Sequence, residues 1–165
     1  NLNNIFLIDV DRIKSEIHSN SLVEKYYIFK KYPSSIKINI EKTKFLARIN
    51  IKGQIFLVGS NGKLTKDDSS NDKLPFIFGN PVIDDFLSLK IIIDQSKILY
   101  DDIKNLYFFP SKRWDIELRN NTIIKLPNKD TNFALNLAIE FLYDNKFKDN
   151  KIIDARVKNQ IILDD

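Results

Sequence analysis

The stretch RWDIELRNNTIIKL, residues 113–126, decides the fold class of this chain. The runs RWDIELR and TIIKL are typical of β-strands, and RNNT stands between them. Asparagine accepts the backbone conformations of tight hairpin turns. The stretch therefore predicts two strands joined by a tight asparagine turn.

Strand-like runs also precede this hairpin. They are KFLARIN (44–50), GQIFLV (53–58), KLT (63–65), LPFIFGNP (74–81) and IKNLYFF (103–109), with a turn at GSNGK and a polar loop at KDDSSNDK (66–73). The run PVIDDFLSLKIIID (81–94) predicts a helix with Pro81 in its first turn. A second helix is predicted from Thr131, with Phe133, Leu137 and Phe141 on one stripe flanked by Ala134, Ala138 and Leu142.

The first forty residues predict a smaller unit. DVDRIKSEIHSN (9–20) has an amphipathic helical pattern with Asp9 as its N-cap. SLVEKYYIFKKY is rich in β-formers, and IKINIEK (36–42) alternates strictly. The predicted fold class is α+β: an αββ unit at residues 1–43, then a mostly antiparallel β-domain with packing helices at 44–165.

The final stretch, KIIDARVKNQIILDD (151–165), also alternates. Apolar residues occupy most odd positions from Ile153 to Leu163, which predicts one strand with a buried face and a polar face. A strand here could be the last of its sheet, and its outer backbone groups would then need a partner, a cover or a deterrent.

Composition argues against several functions. Net charge is +4, with a pI of about 9.1 and no clustered basic stripe, so nucleic-acid binding is disfavoured. There is no cysteine, which removes disulfides and thiolate sites. No apolar run approaches the ~20 residues that span a bilayer. The chain does not begin with Met, so we expect that Asn1 is not the native start and leave an upstream targeting or membrane segment open.

Catalytic motifs are scarce. His18 is the single histidine, the four glycines form no phosphate-binding motif, and the Asp–Asp pairs lie at spacings that do not face each other. A single Trp such as Trp114 is more often core than a binding platform. We therefore predict no enzyme activity, no cofactor, no metal site and no small-molecule substrate. A small hydrolase or transferase acting through His18 or an Asp pair is the least favoured alternative.

Five stretches, in this order, resemble the extracytoplasmic region of the bacterial cell-division family FtsQ/DivIB. Residues 4–49 are similar to the second half of its POTRA domain, with YPSSIKI as the turn and strand. GQIFLVGSNGKL and LPFIFGNP resemble the opening of its β-domain, RWDIELRNNTIIKLP its central hairpin, and IIDARVKNQIIL its closing strand. The KLP and ID-x-R-V-x-N patterns are most similar to the alphaproteobacterial branch. Two positions depart from the family pattern: Thr122 stands at a usual turn glycine, and Val157 stands where many members have Tyr.

The resemblance implies a partial POTRA-type unit followed by the β-domain, and a scaffold rather than an enzyme. It implies a protein of the bacterial inner membrane, anchored by one N-terminal helix that this sequence lacks, with this region in the periplasm at the division septum. Its partners would be FtsB/FtsL-like divisome proteins, linking early division proteins to septal peptidoglycan synthesis. The alternative is another POTRA-containing periplasmic module, for outer-membrane protein assembly or secretion.

In the family, an FtsB-like partner adds a strand to the last strand of the β-domain. Joined to the alternation, this predicts an edge at residues 155–163 that a partner backbone extends. Arg156 and Lys158 would bind partner carboxylates, with an internal structural role for Arg156 as the alternative, and Val157, Ile161 and Leu163 would hold the strand on the core. The predicted partner-binding residues are Arg156, Val157, Lys158, Asn159, Gln160, Ile161, Ile162 and Leu163.

Overall fold

The computed structural model describes residues 9–32, 35–67, 73–144 and 151–164. These residues form the helices α1 (Val10–Ser19), α2 (Ile83–Asp94) and α3 (Thr131–Leu142). Their strands are β1 (Val23–Lys31), β2 (Ser35–Lys42), β3 (Phe45–Ile51), β4 (Gln54–Gly59), β5 (Leu64–Lys66), β6 (Phe76–Phe78), β7 (Ile103–Phe108), β8 (Trp114–Leu118), β9 (Ile123–Lys125), β10 (Ile152–Asp154) and β11 (Ile162–Asp164).

One row of aliphatic side chains explains how the main sheet is held together. The sheet has the order β11-β10-β9-β8-β7-β6-β3-β4-β5, and one residue from each of seven adjacent strands pairs with the next. Alternation places every member of this row on the same face, where burial of each aliphatic side chain contributes about 1.5–3 kcal/mol. The row runs through Ile49, Ile77, Leu106, Ile116, Ile124, Ile153 and Leu163.

Two helices cover this face, because two of the three parallel strand pairs join strands that are consecutive in the chain and need crossovers. Helix α2 connects β6 to β7, and α3 connects β9 to β10. Phe86, Leu89 and Ile93 of α2 join the same buried cluster as Leu135 and Ile139 of α3. The α+β class with a mostly antiparallel sheet is thus confirmed, since five of its eight strand pairs are antiparallel.

Two local predictions change in detail. Pro81 precedes the N-cap Val82 instead of lying in the first turn of α2. The buried face of α3 is Ala134, Leu135, Ala138 and Ile139, so the predicted stripe through Phe133 is wrong. The polar loop at 66–73 falls largely outside the described residues, as does Pro33 of the YPSS turn.

The central hairpin is confirmed, and it explains the unusual Thr122. Asn121 takes the left-handed conformation (φ 67°), and its amide donates to the Leu118 carbonyl at 2.9 Å. The residue that needs positive φ is therefore Asn121, and Thr122 is free to be buried with its amide bonded to the Asn120 side chain at 3.0 Å.

Gly79 allows β6 to approach β7. It has a φ of 93°, and a Cβ there would lie 2.3 Å from the Phe108 carbonyl oxygen. Both the backbone angle and the contact require a residue without a side chain.

The N-terminal residues form a separate two-stranded sheet. Strands β1 and β2 pair antiparallel, and α1 begins where Asp9 accepts a hydrogen bond from the Arg12 amide at 3.0 Å, as predicted for the N-cap. The αββ order is therefore as predicted, while the division into domains at residues 43 and 44 stays a prediction.

Hydrogen bonds join this unit to the β4–β5 turn. Glu24 accepts from the Thr43 hydroxyl at 3.1 Å and the Ser60 hydroxyl at 2.7 Å. The Asn61 amide group donates to the carbonyls of Ser21 (3.0 Å) and Val23 (2.9 Å).

Candidate functional site

The C-terminal stretch is a hairpin, and the prediction of one continuous strand from Ile153 to Leu163 is wrong. Strand β10 pairs parallel with β9, the chain then reverses, and β11 returns antiparallel to β10. Asn159 has a φ of 57°, and the Gln160 amide donates to the Val157 carbonyl at 3.2 Å. Asparagine tolerates this left-handed conformation. Because both arms pack on the same core, the apolar alternation continues through a turn and imitates a single strand.

Strand β11 forms one edge of the nine-stranded sheet, and no described strand lies beyond it. The Lys151 amide donates to the Asp164 carbonyl at 3.1 Å, so the Asp164 carbonyl faces β10. Polar groups of successive strand residues alternate in direction. The N–H and C=O of Leu163 therefore point away from β10, toward the open side, and those of Ile162 point inward.

The side chains of β11 alternate in the same way. Ile161 and Leu163 pack against the hydrophobic core, as predicted. Ile162 lies opposite Asp154 on the other face and is half exposed. The edge therefore combines outward backbone groups with an apolar side chain in solvent.

Arg156 binds a carboxylate of its own chain. Its Nε donates to both Asp154 oxygens at 2.8 and 2.9 Å, and its backbone amide donates to the same side chain at 3.0 Å. Hydrogen bonds from Arg156 hold the pKa of Asp154 below its usual range despite partial burial. This geometry supports the structural alternative, in which Arg156 fixes the start of the hairpin turn.

A ladder of opposite charges leads from the sheet interior to this pair. In the strand register, Asp115 of β8 lies directly opposite Lys125 of β9, and Lys125 lies directly opposite Asp154 of β10. Asp115 is only 5% exposed. Burial raises its pKa, and the positive charge of Arg113, 2.7 Å away, opposes that rise.

A groove lies beside the hairpin turn, with a volume of about 240 Å³. Its walls come from the β9–α3 loop, the first turns of α3 and the residues after β10. Phe133 is 54% exposed and Val157 50% exposed, so two apolar side chains face solvent here. The prediction that Val157 holds the strand on the core is therefore wrong.

The structure brings the predicted residues together only in part. Arg156, Val157, Lys158 and Asn159 line the groove, Gln160 and Ile161 lie between the turn and β11, and Ile162 and Leu163 lie in the edge strand. Sequence reasoning missed Phe133, because helical periodicity placed it in the core. The sequence does contain a signal for the correct face. Ala134 and Ala138 are small residues at i and i+4 that allow close packing, and they define a face that does not include Phe133.

A second polar cluster lies on the uncovered face of the sheet. Glu117 accepts hydrogen bonds from Tyr107 (2.6 Å), Asn105 (2.8 Å) and Lys104 (2.9 Å). Burial alone would raise the pKa of Glu117, but these donors outweigh it and lower that pKa to about 2. Since its carboxylate is already satisfied by neighbours, we assign this cluster to stability.

The candidates for chemistry do not form a site. His18 is exposed at the end of α1, and Trp114 is buried in the core. Within the described ranges, no group of three or more histidine, aspartate or glutamate side chains could hold a metal ion. None of the described helices is long and apolar enough to cross a membrane.

Residues 47–156 match the sequence model of the family "Cell division protein FtsQ/DivIB, C-terminal". Relatives include cell division protein FtsQ of Rickettsia conorii, 25% identical over 97% of this chain and 61% of the relative, and that of Bradyrhizobium diazoefficiens, 21% identical over 96% and 48%. A solved structure, the major extracytoplasmic domain of DivIB from Geobacillus stearothermophilus, covers 56% of this chain and 87% of that one at 10% identity and a TM-score of 0.42.

The match to the family model and the FtsQ relatives confirm the resemblance drawn from the sequence, including its alphaproteobacterial character. The chain spans about 61% of the length of the Rickettsia relative. The match to the family model covers two thirds of the chain and includes the main sheet from β3 to β10. The chain belongs to the FtsQ/DivIB family of bacterial cell-division proteins.

Proposed function

We propose that this protein is a non-catalytic divisome scaffold that binds FtsB/FtsL-like partners by strand addition at β11. In this role it links early division proteins to septal peptidoglycan synthesis. It lies in the bacterial inner membrane through one N-terminal helix, with the described region in the periplasm. Residues 1–43 are the C-terminal part of a POTRA domain, and residues 44–165 are the β-domain.

The observation that carries the proposal is the open edge of the sheet. The backbone groups of Leu163 face outward and no described strand covers them, so a partner strand can bind there with regular main-chain hydrogen bonds. Half-exposed Ile162 lies on one side of this edge.

The groove supplies specificity in this account. Phe133 and Val157 offer apolar contacts close to the edge, and such side chains dominate binding energy when a partner buries them. Val157 replaces the tyrosine of many family members, so the aromatic ring in this groove is provided by Phe133. Arg156 positions the turn through its ion pair with Asp154. Lys158 lies in the turn, outside any strand, and provides a positive charge.

The test is calorimetry with the extracytoplasmic segment of an FtsB-like protein. Leu163→Pro removes the outward N–H at the edge, and loss of a backbone hydrogen bond with its alignment should weaken binding by at least about tenfold. The matched control is Lys66→Pro in β5 at the opposite edge, which should leave the affinity unchanged. Equal affinity of Leu163→Pro and the wild type, with both folded by circular dichroism, would reject strand addition at β11.

A further inference from the structure

One face of the β1–β2 hairpin is covered neither by the main sheet nor by α1 within the described residues. Its register places Tyr26, Ile28 and Ile40 on one face and Tyr27, Phe29 and the residues opposite them on the other. Tyr26 lines a cleft with Ile17 of α1, so the first face is the one turned toward the helix. The second face is turned away from α1.

This second face exposes aromatic rings and lysines together. Tyr27 and Phe29 are each about half exposed, and Tyr32 beside the turn is 66% exposed. Phe29 lies directly opposite Lys37, and Lys31 lies at the end of the same face. Lys30 lies on the first face, next in the chain to Phe29 and Lys31. We call Tyr27, Phe29, Lys31, Tyr32 and Lys37, together with this neighbouring Lys30, the basic aromatic tip.

Charge is distributed unevenly along the hairpin. The acidic residues Glu24 and Glu41 lie at the end of the hairpin near the main sheet, and no acidic residue occurs from 25 to 40. Within the described residues, Lys30, Lys31 and Lys37 form no ion pair. Their ammonium groups thus give one end of the hairpin an uncompensated positive charge.

We propose that the basic aromatic tip binds the headgroup region of an anionic lipid bilayer. Tyr and Phe place an apolar ring at the boundary of the acyl chains, while lysines extend their charged ends to lipid phosphates. The hairpin contains no arginine, the residue that planar phosphate or carboxylate recognition by nucleic-acid and protein sites prefers. A diffuse anionic surface fits compact, flexible ammonium groups better. This inference does not depend on strand addition at β11.

Vesicle sedimentation with the 165-residue protein tests the proposal. Binding should be strong to vesicles of phosphatidylglycerol and phosphatidylcholine and weak to phosphatidylcholine alone. Each lysine near an anionic bilayer surface contributes about 1 kcal/mol of binding free energy. The triple variant Lys30→Glu, Lys31→Glu, Lys37→Glu should therefore bind about 100-fold more weakly. The matched control Lys97→Glu, Lys112→Glu, Lys151→Glu carries the same change in net charge at exposed positions outside the tip and should retain most of the binding.

Phe29→Trp adds a fluorescence readout, because Trp114 is buried in the core. Brominated lipids should quench the new tryptophan in anionic vesicles, and Phe29→Ser should reduce vesicle binding. Equal loss in both triple variants, or equal binding to neutral and anionic vesicles, would overturn the proposal. So would tip-dependent binding of a single-stranded oligonucleotide or an acidic peptide without vesicle binding.

The two proposals fail separately. Loss of vesicle binding in the tip variants should leave the affinity for the FtsB-like segment unchanged. Leu163→Pro should leave vesicle binding unchanged. A protein that binds vesicles without binding the segment would contradict only the proposed function.

Discussion

The two edges of the nine-stranded sheet, β5 and β11, are both three residues long but differ in what lies across them. Beside β5, the Thr65 hydroxyl donates to Ser21 at 2.8 Å, and Asn61 and Ser60 in the preceding turn bind residues of the N-terminal unit. Beside β11, no described residue of the chain takes this role. Described residues of the protein itself bind beside one edge, whereas the outward backbone groups of the other are the ones that, in the proposed function, a partner strand binds.

A short edge strand can therefore contribute to stability, as at β5, or remain open to a partner strand, as the proposed function requires of β11. Hydrogen bonds at β5 come from side chains that reach across to the N-terminal unit, so their loss should affect stability and not partner binding. At β11 the outward groups belong to the backbone, so their loss should affect binding and not stability.

Gly59 sets the contact at the covered edge. A Cβ at this position would lie 2.6 Å from the Asn61 Oδ1 and 2.8 Å from the Thr43 Oγ1. Gly59→Ala should therefore lower the free energy of unfolding by about 2–3 kcal/mol, through displacement of both side chains. Chemical denaturation measures the effect, and the affinity for the FtsB-like segment should not change.

A double-mutant cycle tests the cause. If the cost arises from the clash with Asn61, Gly59→Ala should cost less in an Asn61→Ala background. Equal costs in the two backgrounds would show that Asn61 is not the group displaced.

Asn61→Ala alone should loosen the junction between the two sheets. It removes the two hydrogen bonds to the carbonyls of Ser21 and Val23 and the one that Asn61 Oδ1 accepts from the Lys63 amide, and should cost about 2 kcal/mol. Amide exchange at residues 21–24 should accelerate, while exchange in β10 and β11 stays constant. Asn128→Ala is the control, because that exposed side chain makes one hydrogen bond, to the Ser111 carbonyl. Equal acceleration in both variants would contradict the account of the junction.

Asp154→Asn should have the smallest effect on stability, below about 1 kcal/mol, because its partner Arg156 is partly exposed and screened by solvent. It should release Arg156 and weaken partner binding by a few fold, because the turn that carries Val157 is less ordered. Calorimetry with the same FtsB-like segment measures this. Unchanged affinity would mean that the ion pair does not position the turn.

The carboxylates of Asp154 and Asp115 make the stability of the fold depend on pH. The folded-state pKa of Asp154 is lowered, so its contribution to stability is present above the ordinary aspartate pKa and is lost as pH falls through its lowered value. The pKa of Asp115 is raised by burial, so Asp115 should take up a proton first as pH falls. Carbon NMR of the carboxyl groups should show this order, and the reverse order would contradict the charge ladder.

Local patterns predicted much of the fold. The Asp9 cap, the strict alternation of IKINIEK and the asparagine turn at Asn121 each depend on neighbouring residues, and each is confirmed. The reversal at Asn159 was missed because two arms that pack on one core have the same alternation as one long strand. Phe133 was misplaced because the choice between two apolar faces of α3 depends on the sheet below it.

The sequence predicted where in the chain the candidate site lies, but not how its side chains are arranged. The sequence identified the C-terminal stretch as an edge, and β11 is one. The pairing of Arg156 with Asp154 depends on the bend after β10, which alternation does not reveal. Specific binding by these residues stays a proposal that the experiments above test.

The central claim is that the outward backbone of β11 binds a partner strand, and a pair of backbone esters tests it most directly. Replacing Leu163 by the α-hydroxy acid with the same side chain removes an outward N–H, and the same change at Ile162 removes an inward one. Each ester also weakens the preceding carbonyl as a hydrogen-bond acceptor, which for the ester at 163 is the inward carbonyl of Ile162. The ester at 163 should weaken binding of the FtsB-like segment by about tenfold and lower the melting temperature less than the ester at 162 does, while the ester at 162 should change the affinity little. Unchanged affinity with the ester at 163 would contradict the central claim.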